Sequence, residues 1–225
     1  GLSGAGKTTL LRHLSGFLRP TSGRITFDGL PVDAHGARDL RRRVGLVFQH
    51  PEEQLFEETV YKDIAFGLSG AGVSPEEAAE RVREALEAVG LGEELLEMPP
   101  FGLSGGEKRR VAIAGVMVMK PSVLVLDEPS VGLDPRGRGE ILDHIARMRR
   151  KRGVTVVLAT HDMEQMARYA EKVVVLKGGS IVSEGTPREV FRDAGALESA
   201  GLEPPRITRL MMKLKKALPD IDDGI

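Results

Sequence analysis

An uninterrupted apolar run is the sequence feature that most limits what this chain can fold into. Residues Val123 to Leu126 are all apolar, the pattern of a strand covered on both faces, as in a parallel sheet. The run ends in Asp127 and Glu128, which places two carboxylates at the edge where open α/β sheets bind their ligands. One acid at such an edge can hold Mg²⁺, and a second can orient an attacking water. The sequence therefore predicts an α/β fold with a ligand site where this strand ends.

The stretch before this strand predicts a helix start that suits an anion. Ser104 and Glu107 have the spacing of a capping box. Between them, Gly105 and Gly106 leave backbone N–H groups bare at the positive end of the helix dipole. Taken alone, this stretch is better explained as a capped helix with no further role, and an Asp-Glu pair is a common strand ending. A phosphate-binding pattern elsewhere in the chain decides between this plain interpretation and a ligand site.

The chain opens with a phosphate-binding loop. GLSGAGKTT matches the pattern G-x-x-x-x-G-K-[ST] at every fixed position. Its glycines let the backbone wrap phosphates, Lys7 reaches the β- and γ-phosphates, and the Thr8 hydroxyl can ligate Mg²⁺. A plain glycine-rich turn before a helix is the alternative, and the completeness of the match argues against it. The residues predicted to bind the nucleotide here are Gly1, Leu2, Ser3, Gly4, Ala5, Gly6, Lys7, Thr8 and Thr9.

Such a loop ordinarily follows a buried strand, yet here it begins the chain, which also has no initiating Met. We therefore expect an N-terminally truncated sequence. The missing part would hold the first strands and the residue that stacks on the adenine.

Composition fits a soluble cytosolic protein of one large domain or a domain with a subdomain. The 32 basic and 33 acidic residues give a net charge of −1, so charge offers no case for nucleic-acid binding. The chain contains no cysteine, which excludes disulfides and thiolate chemistry. No apolar run approaches the roughly 20 residues needed to span a bilayer.

Helical patterns in the middle of the chain separate two strand-rich parts. Gly23 to Asp28 predicts a strand, residues 50–67 look irregular and acidic, and Ser74 with Glu77 predicts a capping box. Later patterns predict a capped helix at Asp134, a β-hairpin around Gly178 and one more capped helix begun by Thr186 with Glu189. We predict a discontinuous nucleotide-binding core at residues 1–50 and 120–190, a helical subdomain at 51–119 and a helical tail at 191–225. The tail either completes a core or serves a subunit interface.

Two further side chains follow predicted strands. Gln49 comes after the strand Val44 to Phe48 and could sense Mg²⁺ and a γ-phosphate, although it could also be a surface residue. His161 comes after the strand Gly153 to Ala159, which predicts a place at the same edge as Asp127. A lone histidine is most often an ordinary surface or core residue, and only this position argues otherwise.

Together these residues resemble the ATP-binding cassette family of ATPases. The phosphate loop, Gln49, LSGGE, LDEP, the segment ending at Asp134 and His161 occur in the family's order and cover nearly the whole chain. The resemblance implies a P-loop NTPase core of RecA type with a mainly parallel sheet and an inserted helical subdomain. Val131, where the family often has Ala, is a mild departure.

The same resemblance implies how ATP is held and cleaved. Two cassettes, identical or different, would form a head-to-tail dimer in which Lys7 and Thr8 of one face Ser104 and Gly106 of the other. Glu128 would be the general base on water and His161 would hold the γ-phosphate. Gln49 and Asp127 would attend Mg²⁺.

A narrower resemblance is to the ATPases of energy-coupling factor transporters, which import vitamins or cobalt and nickel ions. It rests mainly on QHPEEQLFEETVYKDIAFG and on VAIAGVMVM, which follows the LSGGE signature of residues 103–107. It implies a peripheral subunit at the cytoplasmic face of the membrane, with a transmembrane coupling subunit and a substrate-specific membrane subunit as partners. The predicted groove for the coupling subunit's helices consists of Glu52, Glu53, Gln54, Leu55 and Phe56.

Several other classes lack support in the sequence. A GTPase switch would need an N-K-x-D motif, a ribosome-associated cassette protein would carry two signatures, and a chromosome-organising cassette would contain long heptads. None of these is present. A dead cassette acting as a regulator would lack Glu128 or His161. The remaining alternative is the ATPase of an ordinary importer that uses a soluble binding protein.

Overall fold

The computed structural model describes residues 1–32 and 36–217. They form two compact units, one of residues 1–8 with the chain from Thr160 onward, the other of residues 9–159. The predicted domain boundaries after residues 50, 119 and 190 differ from this division and stay a prediction.

The described residues contain helices and strands in alternation, with helices concentrated in the middle of the chain. The helices are α1 (Lys7–Leu14), α2 (Gly36–Arg43), α3 (Val60–Phe66), α4 (Pro75–Ala88), α5 (Gly105–Met117), α6 (Pro135–Arg152), α7 (Met163–Tyr169), α8 (Pro187–Arg192), α9 (Ala194–Ser199) and α10 (Arg206–Ala217). The strands are β1 (Thr26–Phe27), β2 (Leu30–Pro31), β3 (Val44–Val47), β4 (Val123–Asp127), β5 (Thr155–Ala159), β6 (Val173–Lys177) and β7 (Ser180–Gly185). Short 3₁₀ turns lie at Pro51–Gln54, Glu93–Leu95 and Pro100–Gly102.

The sheet that carries the candidate site lies in the unit of residues 9–159. Strands β3, β4 and β5 are parallel, with β4 in the middle. Leu124, Val125 and Leu126 are fully buried, so both faces of β4 are covered. The parallel sheet and the strand covered on both faces, which the apolar run predicted, are confirmed.

One predicted strand is much shorter than expected. The strand predicted over Gly23 to Asp28 is reduced to β1, which pairs with β2 in an antiparallel hairpin turning at Asp28 and Gly29. Both turn residues have a positive φ, which ends the extended backbone there.

Part of the segment predicted to be irregular is helical. Helix α3 begins at the cap Thr59, whose hydroxyl accepts the Lys62 N–H at 3.2 Å. Val60 and Ile64, four residues apart on one face, are completely buried. The helix is too short to stand out in a sequence pattern, and its burial supplies the stability that local propensity does not.

Most of the predicted helix caps are present. Ser104 with Glu107 and Thr186 with Glu189 form complete capping boxes, and Asp134 caps α6. Ser74 caps α4 as predicted, but the carboxylate of Glu77 bonds Arg81 at 2.5 Å. An i, i+4 ion pair therefore replaces the predicted return bond to the cap.

The end of α3 approaches α5 closely at Gly67. A Cβ added there would lie 2.4 Å from the Gly115 carbonyl oxygen, which is closer than two such atoms can come. We expect Gly67→Ala to lower the free energy of unfolding by about 1 to 3 kcal/mol, the usual cost of overpacking. Gly139 in α6 has open space at the same position, so Gly139→Ala is the control. It should be neutral or stabilise by up to about 1 kcal/mol. Equal denaturant midpoints for Gly67→Ala and the wild type would contradict the close approach.

The other unit is built on the predicted β-hairpin, which is confirmed. Strands β6 and β7 are antiparallel and turn at Gly178 and Gly179. Val173, Val175, Val190, Phe191 and Leu197 form a buried cluster between the hairpin and helices α8 and α9. The chain continues into α10, the predicted helix of the tail. No described helix combines the length and apolarity needed to cross a membrane.

Candidate active site

The phosphate loop is already shaped in the unit of residues 1–8 and 160 onward. Gly4 and Gly6 have φ values of 77° and 98°, which favour glycine strongly. The Ala5 N–H donates to the Leu2 carbonyl at 3.2 Å, and the Lys7 ammonium donates to the Gly1 carbonyl at 2.8 Å. The loop is therefore folded back on itself, and its lysine side chain is bonded to the first residue of the loop.

The hairpin supports this loop, a contact that the sequence did not indicate. The Gly179 N–H donates to the Ala5 carbonyl at 3.0 Å. A Cβ on Gly1 would lie 2.1 Å from the Leu176 carbonyl oxygen. The loop is thus packed directly against the backbone of β6 and of the turn after it. Two segments far apart in the chain make this contact, and no local pattern records it.

Two predicted acidic residues lie at the end of the middle strand. Asp127 is the last residue of β4 and is 4% exposed, and Glu128, 8% exposed, follows it. The Glu128 N–H donates to the Ala159 carbonyl at the end of β5, at 2.9 Å. Glu128 also has a φ of 50°, an unfavourable value for a residue with a Cβ, which surrounding contacts must hold in place.

Gln49 follows the neighbouring strand at the same edge. It comes two residues after the end of β3, and its side chain is exposed. The edge thus gathers Gln49, Asp127 and Glu128 at the ends of adjacent parallel strands. Carboxylate and amide oxygens are suitable Mg²⁺ ligands. Among the described residues no cluster of three His, Cys, Asp or Glu side chains could hold a metal by itself.

Ser104 and Gly105 are exposed at the start of α5, whereas Gly106 and Glu107 are partly buried. The Glu107 N–H donates to the Ser104 hydroxyl at 3.3 Å, and the Ser104 N–H donates to the Glu107 carboxylate at 2.9 Å. The hydrogen bond from the Ser104 hydroxyl, followed by that from its backbone, lowers the pKa of Glu107. Cβ atoms added at Gly105 and Gly106 would meet nothing within 4 Å. The helix start is therefore open to a ligand approaching from outside.

His161 lies in the unit of residues 1–8 and 160 onward, two positions beyond the end of β5. Its side chain is exposed. The next residue, Asp162, caps α7 by accepting the N–H groups of Glu164 and Gln165. The Asp162 N–H donates to the Thr160 hydroxyl at 3.0 Å. Hydrogen bonds of Thr160 and Asp162, the two neighbours of His161 in the chain, thus hold the turn that carries His161.

The residues predicted to form a partner groove point in different directions. Glu53, Gln54 and Phe56 are exposed, whereas the Glu52 side chain is only 21% exposed. The Phe56 ring stacks edge-on against Phe66, with ring centroids 5.0 Å apart. Glu52 turns inward, so it does not present its charge at the surface as Glu53 does.

Glu52 pairs with Arg109, a residue that the sequence analysis did not single out. The two side chains form a doubly hydrogen-bonded ion pair, with distances of 2.9 and 2.5 Å. Burial, the largest influence, raises the pKa of Glu52, but the hydrogen bond from Arg109, a backbone N–H, the Arg109 charge and His50 together lower it. A signal existed, since Arg109 lies four residues before Ile113 on the buried face of α5. A charge on an apolar stripe requires a partner.

Known proteins match this chain along most of its length. Residues 1–131 match the family described as ABC transporter. The energy-coupling factor transporter ATP-binding protein EcfA2 of Acetivibrio thermocellus is 48% identical over 225 residues, covering 100% of this chain and 80% of that protein. The EcfA2 of Caldanaerobacter subterraneus subsp. tengcongensis is 51% identical over 218 residues, covering 96% and 76%.

Solved structures share the fold. The cbiO1 protein of Clostridium perfringens, described as part of the ABC transporter complex cbiONQ, is 40% identical with a TM-score of 0.81, covering 97% of this chain and 82% of that one. The ATP-binding cassette MJ0796, solved as a dimer in a post-hydrolysis state bound to ADP and Pi, is 31% identical with a TM-score of 0.72, covering 84% and 83%.

Proposed function

This chain belongs to the ATP-binding cassette family of transporter ATPases, and we propose that it drives the uptake of a vitamin or a transition-metal ion through partner membrane subunits. It is an ATPase subunit of the energy-coupling factor type, and ATP is its nucleotide. One observation carries the proposal. Gln49, Asp127 and Glu128 end adjacent strands at one sheet edge, in a chain about half identical to EcfA2 proteins over its length.

Each group has a proposed role in hydrolysis. Backbone N–H groups of residues 1–9 and the Lys7 ammonium bind the phosphates of ATP. Glu128 takes a proton from the attacking water while the water oxygen bonds to the γ-phosphorus of ATP. The bond between that phosphorus and the bridging oxygen breaks, and this oxygen leaves with ADP. His161 donates a hydrogen bond to the γ-phosphate. Thr8, Gln49 and Asp127 would hold Mg²⁺, which would offset negative charge on the phosphates.

The complete site is proposed to form between two ATPase subunits, identical or different. The open helix start at Ser104, Gly105 and Gly106 would meet the γ-phosphate of an ATP molecule held by Lys7 and Thr8 of the other subunit. Glu107 fixes this helix start through the capping box. The dimeric state of MJ0796 supports the arrangement.

The membrane partners are proposed to be a transmembrane coupling subunit and a substrate-specific subunit, with this chain at the cytoplasmic face. The description of cbiO1 as part of a larger transporter complex supports this assembly. Glu53, Gln54, Leu55 and Phe56 would form the docking groove, in which a helix carrying arginines packs on the aromatic rings and meets the Glu53 charge. Glu52 contributes to this groove through its neighbours, because Arg109 already binds its carboxylate.

Purification of the full-length subunit from its native membrane tests the function. We expect two membrane subunits to accompany it, and the reconstituted complex to take up its substrate only with ATP. Uptake that requires a soluble binding protein would favour the ordinary importer instead.

Reversing one exposed charge tests the groove. We expect Glu53→Lys to weaken binding of the coupling subunit roughly tenfold, the scale of one interfacial charge pair, while ATP affinity is unchanged. The measurement is the affinity of the purified full-length subunit for the coupling subunit, beside its ATP affinity. Glu80→Lys reverses an exposed charge on α4 and is the matched control. Equal assembly of both variants would place the docking surface elsewhere.

A further inference from the structure

Arg109 is buried to 2% exposure although it carries a charge. Its Nε and Nη2 atoms donate to the two oxygens of the Glu52 carboxylate, at 2.9 and 2.5 Å. This side-on geometry is the strongest form of an arginine–carboxylate pair. It joins α5 to the 3₁₀ turn Pro51–Gln54, which we call the acidic turn.

The remaining nitrogen of the same guanidinium holds a different segment. Its Nη1 atom donates to the carbonyl oxygen of Pro129 at 3.1 Å and to that of Val131. These carbonyls belong to the residues just after Glu128, in the segment Glu128–Val131 that we call the catalytic turn. All three guanidinium nitrogens are therefore engaged, and one side chain bridges the acidic turn and the catalytic turn.

The catalytic turn depends on such contacts for its shape. Glu128 has a φ of 50°, a strained value that persists only when the surroundings fix it. The Val131 N–H donates to the Glu128 carbonyl at 3.2 Å, which closes the turn internally, and the Glu128 N–H is held by Ala159. Arg109 holds the catalytic turn from outside, because it donates hydrogen bonds to the carbonyls on both sides of Ser130.

The acidic turn is reachable from outside. Glu53 and Gln54 are exposed, and Glu52 between the buried Pro51 and Glu53 retains partial exposure. His50, which directly precedes the acidic turn and has a φ of 54°, brings its Nδ1 within 3.5 Å of the Glu52 carboxylate. A protein that binds Glu53 and Gln54 therefore contacts the residue next to Glu52, whose carboxylate anchors Arg109.

We propose that Arg109 is a positioning residue that links docking at the acidic turn to the placement of the Glu128 carboxylate. A membrane partner that shifts Glu52 moves the guanidinium, and the guanidinium moves the carbonyls that shape the catalytic turn. The inference rests on the proposed roles of Glu128 and of the groove. It goes beyond them, because it names one buried side chain as the connection.

The first test is Arg109→Lys in the full-length subunit within its membrane complex. Lysine keeps the charge but cannot bond Glu52 at two points and both carbonyls at once. We expect kcat for ATP hydrolysis to fall roughly 10- to 100-fold, the effect of a small misplacement of a reacting group. The KM for ATP should stay within about twofold, because ground-state binding is not involved. Arg110→Lys, at the neighbouring and partly buried position of α5, should leave both constants unchanged.

The second test is Glu52→Gln, which removes the charge that anchors Arg109. In this variant we expect the membrane partners to stimulate ATP hydrolysis several-fold less than in the wild type. The double variant, Glu52→Gln with Arg109→Lys, should lose no more kcat than Arg109→Lys alone. Glu58→Gln is the control, since it breaks an exposed pair with Lys62 in the same segment. Stimulation should remain normal there.

The outcomes separate this inference from the proposed function. Wild-type kcat in Arg109→Lys, or strictly additive losses in the double variant, would overturn the link even if Glu128→Gln is inactive. If Arg109→Lys does not fold, as judged by thermal unfolding, Glu52→Gln decides, and unchanged stimulation overturns the proposal. A normal rate in Glu128→Gln would instead remove the proposed function itself.

Discussion

Glu128→Gln is expected to slow ATP hydrolysis by roughly 10²-fold or more, the usual contribution of a positioned general base. Glutamine has nearly the same shape and the same backbone preferences, so the buried turn with its φ of 50° should persist. It cannot take a proton from the attacking water. Nucleotide binding should therefore survive while the chemical step fails. The measurement is single-turnover hydrolysis by the full-length subunit in its complex, beside ATP affinity.

Two further variants frame this result. Lys7→Ala should weaken ATP binding itself, because the lost ammonium interacts with the phosphates in the ground state. Glu97 is exposed and lies far along the chain from Asp127 and Glu128. Glu97→Gln should therefore change neither ATP binding nor the rate of hydrolysis. Hydrolysis by Glu128→Gln at the wild-type rate would show that the base is another group.

A mixed dimer of Ser104→Arg with Lys7→Ala is expected to keep one working site, whereas each variant alone should lose both. The reason is that the phosphate loop and the open start of α5 are proposed to act from different subunits. In the mixed dimer both changes fall on one site and the other is intact. About half of the wild-type ATP cross-linking should therefore remain. Cross-linking is measured on the purified mixed dimer of full-length subunits and on each variant dimer.

The capping role of Ser104 needs its own control. Its hydroxyl caps α5, and loss of such a cap costs about 1 kcal/mol whether or not ATP binds there. Thr186 caps α8 through an equivalent capping box, so Thr186→Arg should reproduce the lost cap and leave cross-linking intact. Equal loss of cross-linking in the mixed dimer and both parents would argue that each site lies within a single subunit.

Local patterns were sufficient to predict much of the architecture. The apolar run predicted β4 as a doubly covered strand, and the spacing of Ser104 with Glu107 and of Thr186 with Glu189 predicted two helix starts. These features are legible because the cause and its effect lie within a few residues. The same holds for the candidate site, whose residues Gln49 and Asp127 were found as strand endings. Their assigned roles in hydrolysis stay predictions.

The tertiary structure decided what depends on distant partners. The sequence offered Glu52 and Glu53 as equal surface charges, yet Glu52 turns inward because Arg109 lies 57 residues away on a buried helix face. The support of Ala5 by Gly179 arises in the same way, between two turns that fold side by side. Local propensity acts through neighbours in the chain, whereas burial and charge pairing act through neighbours in space. A one-dimensional pattern contains the first kind of neighbour and not the second.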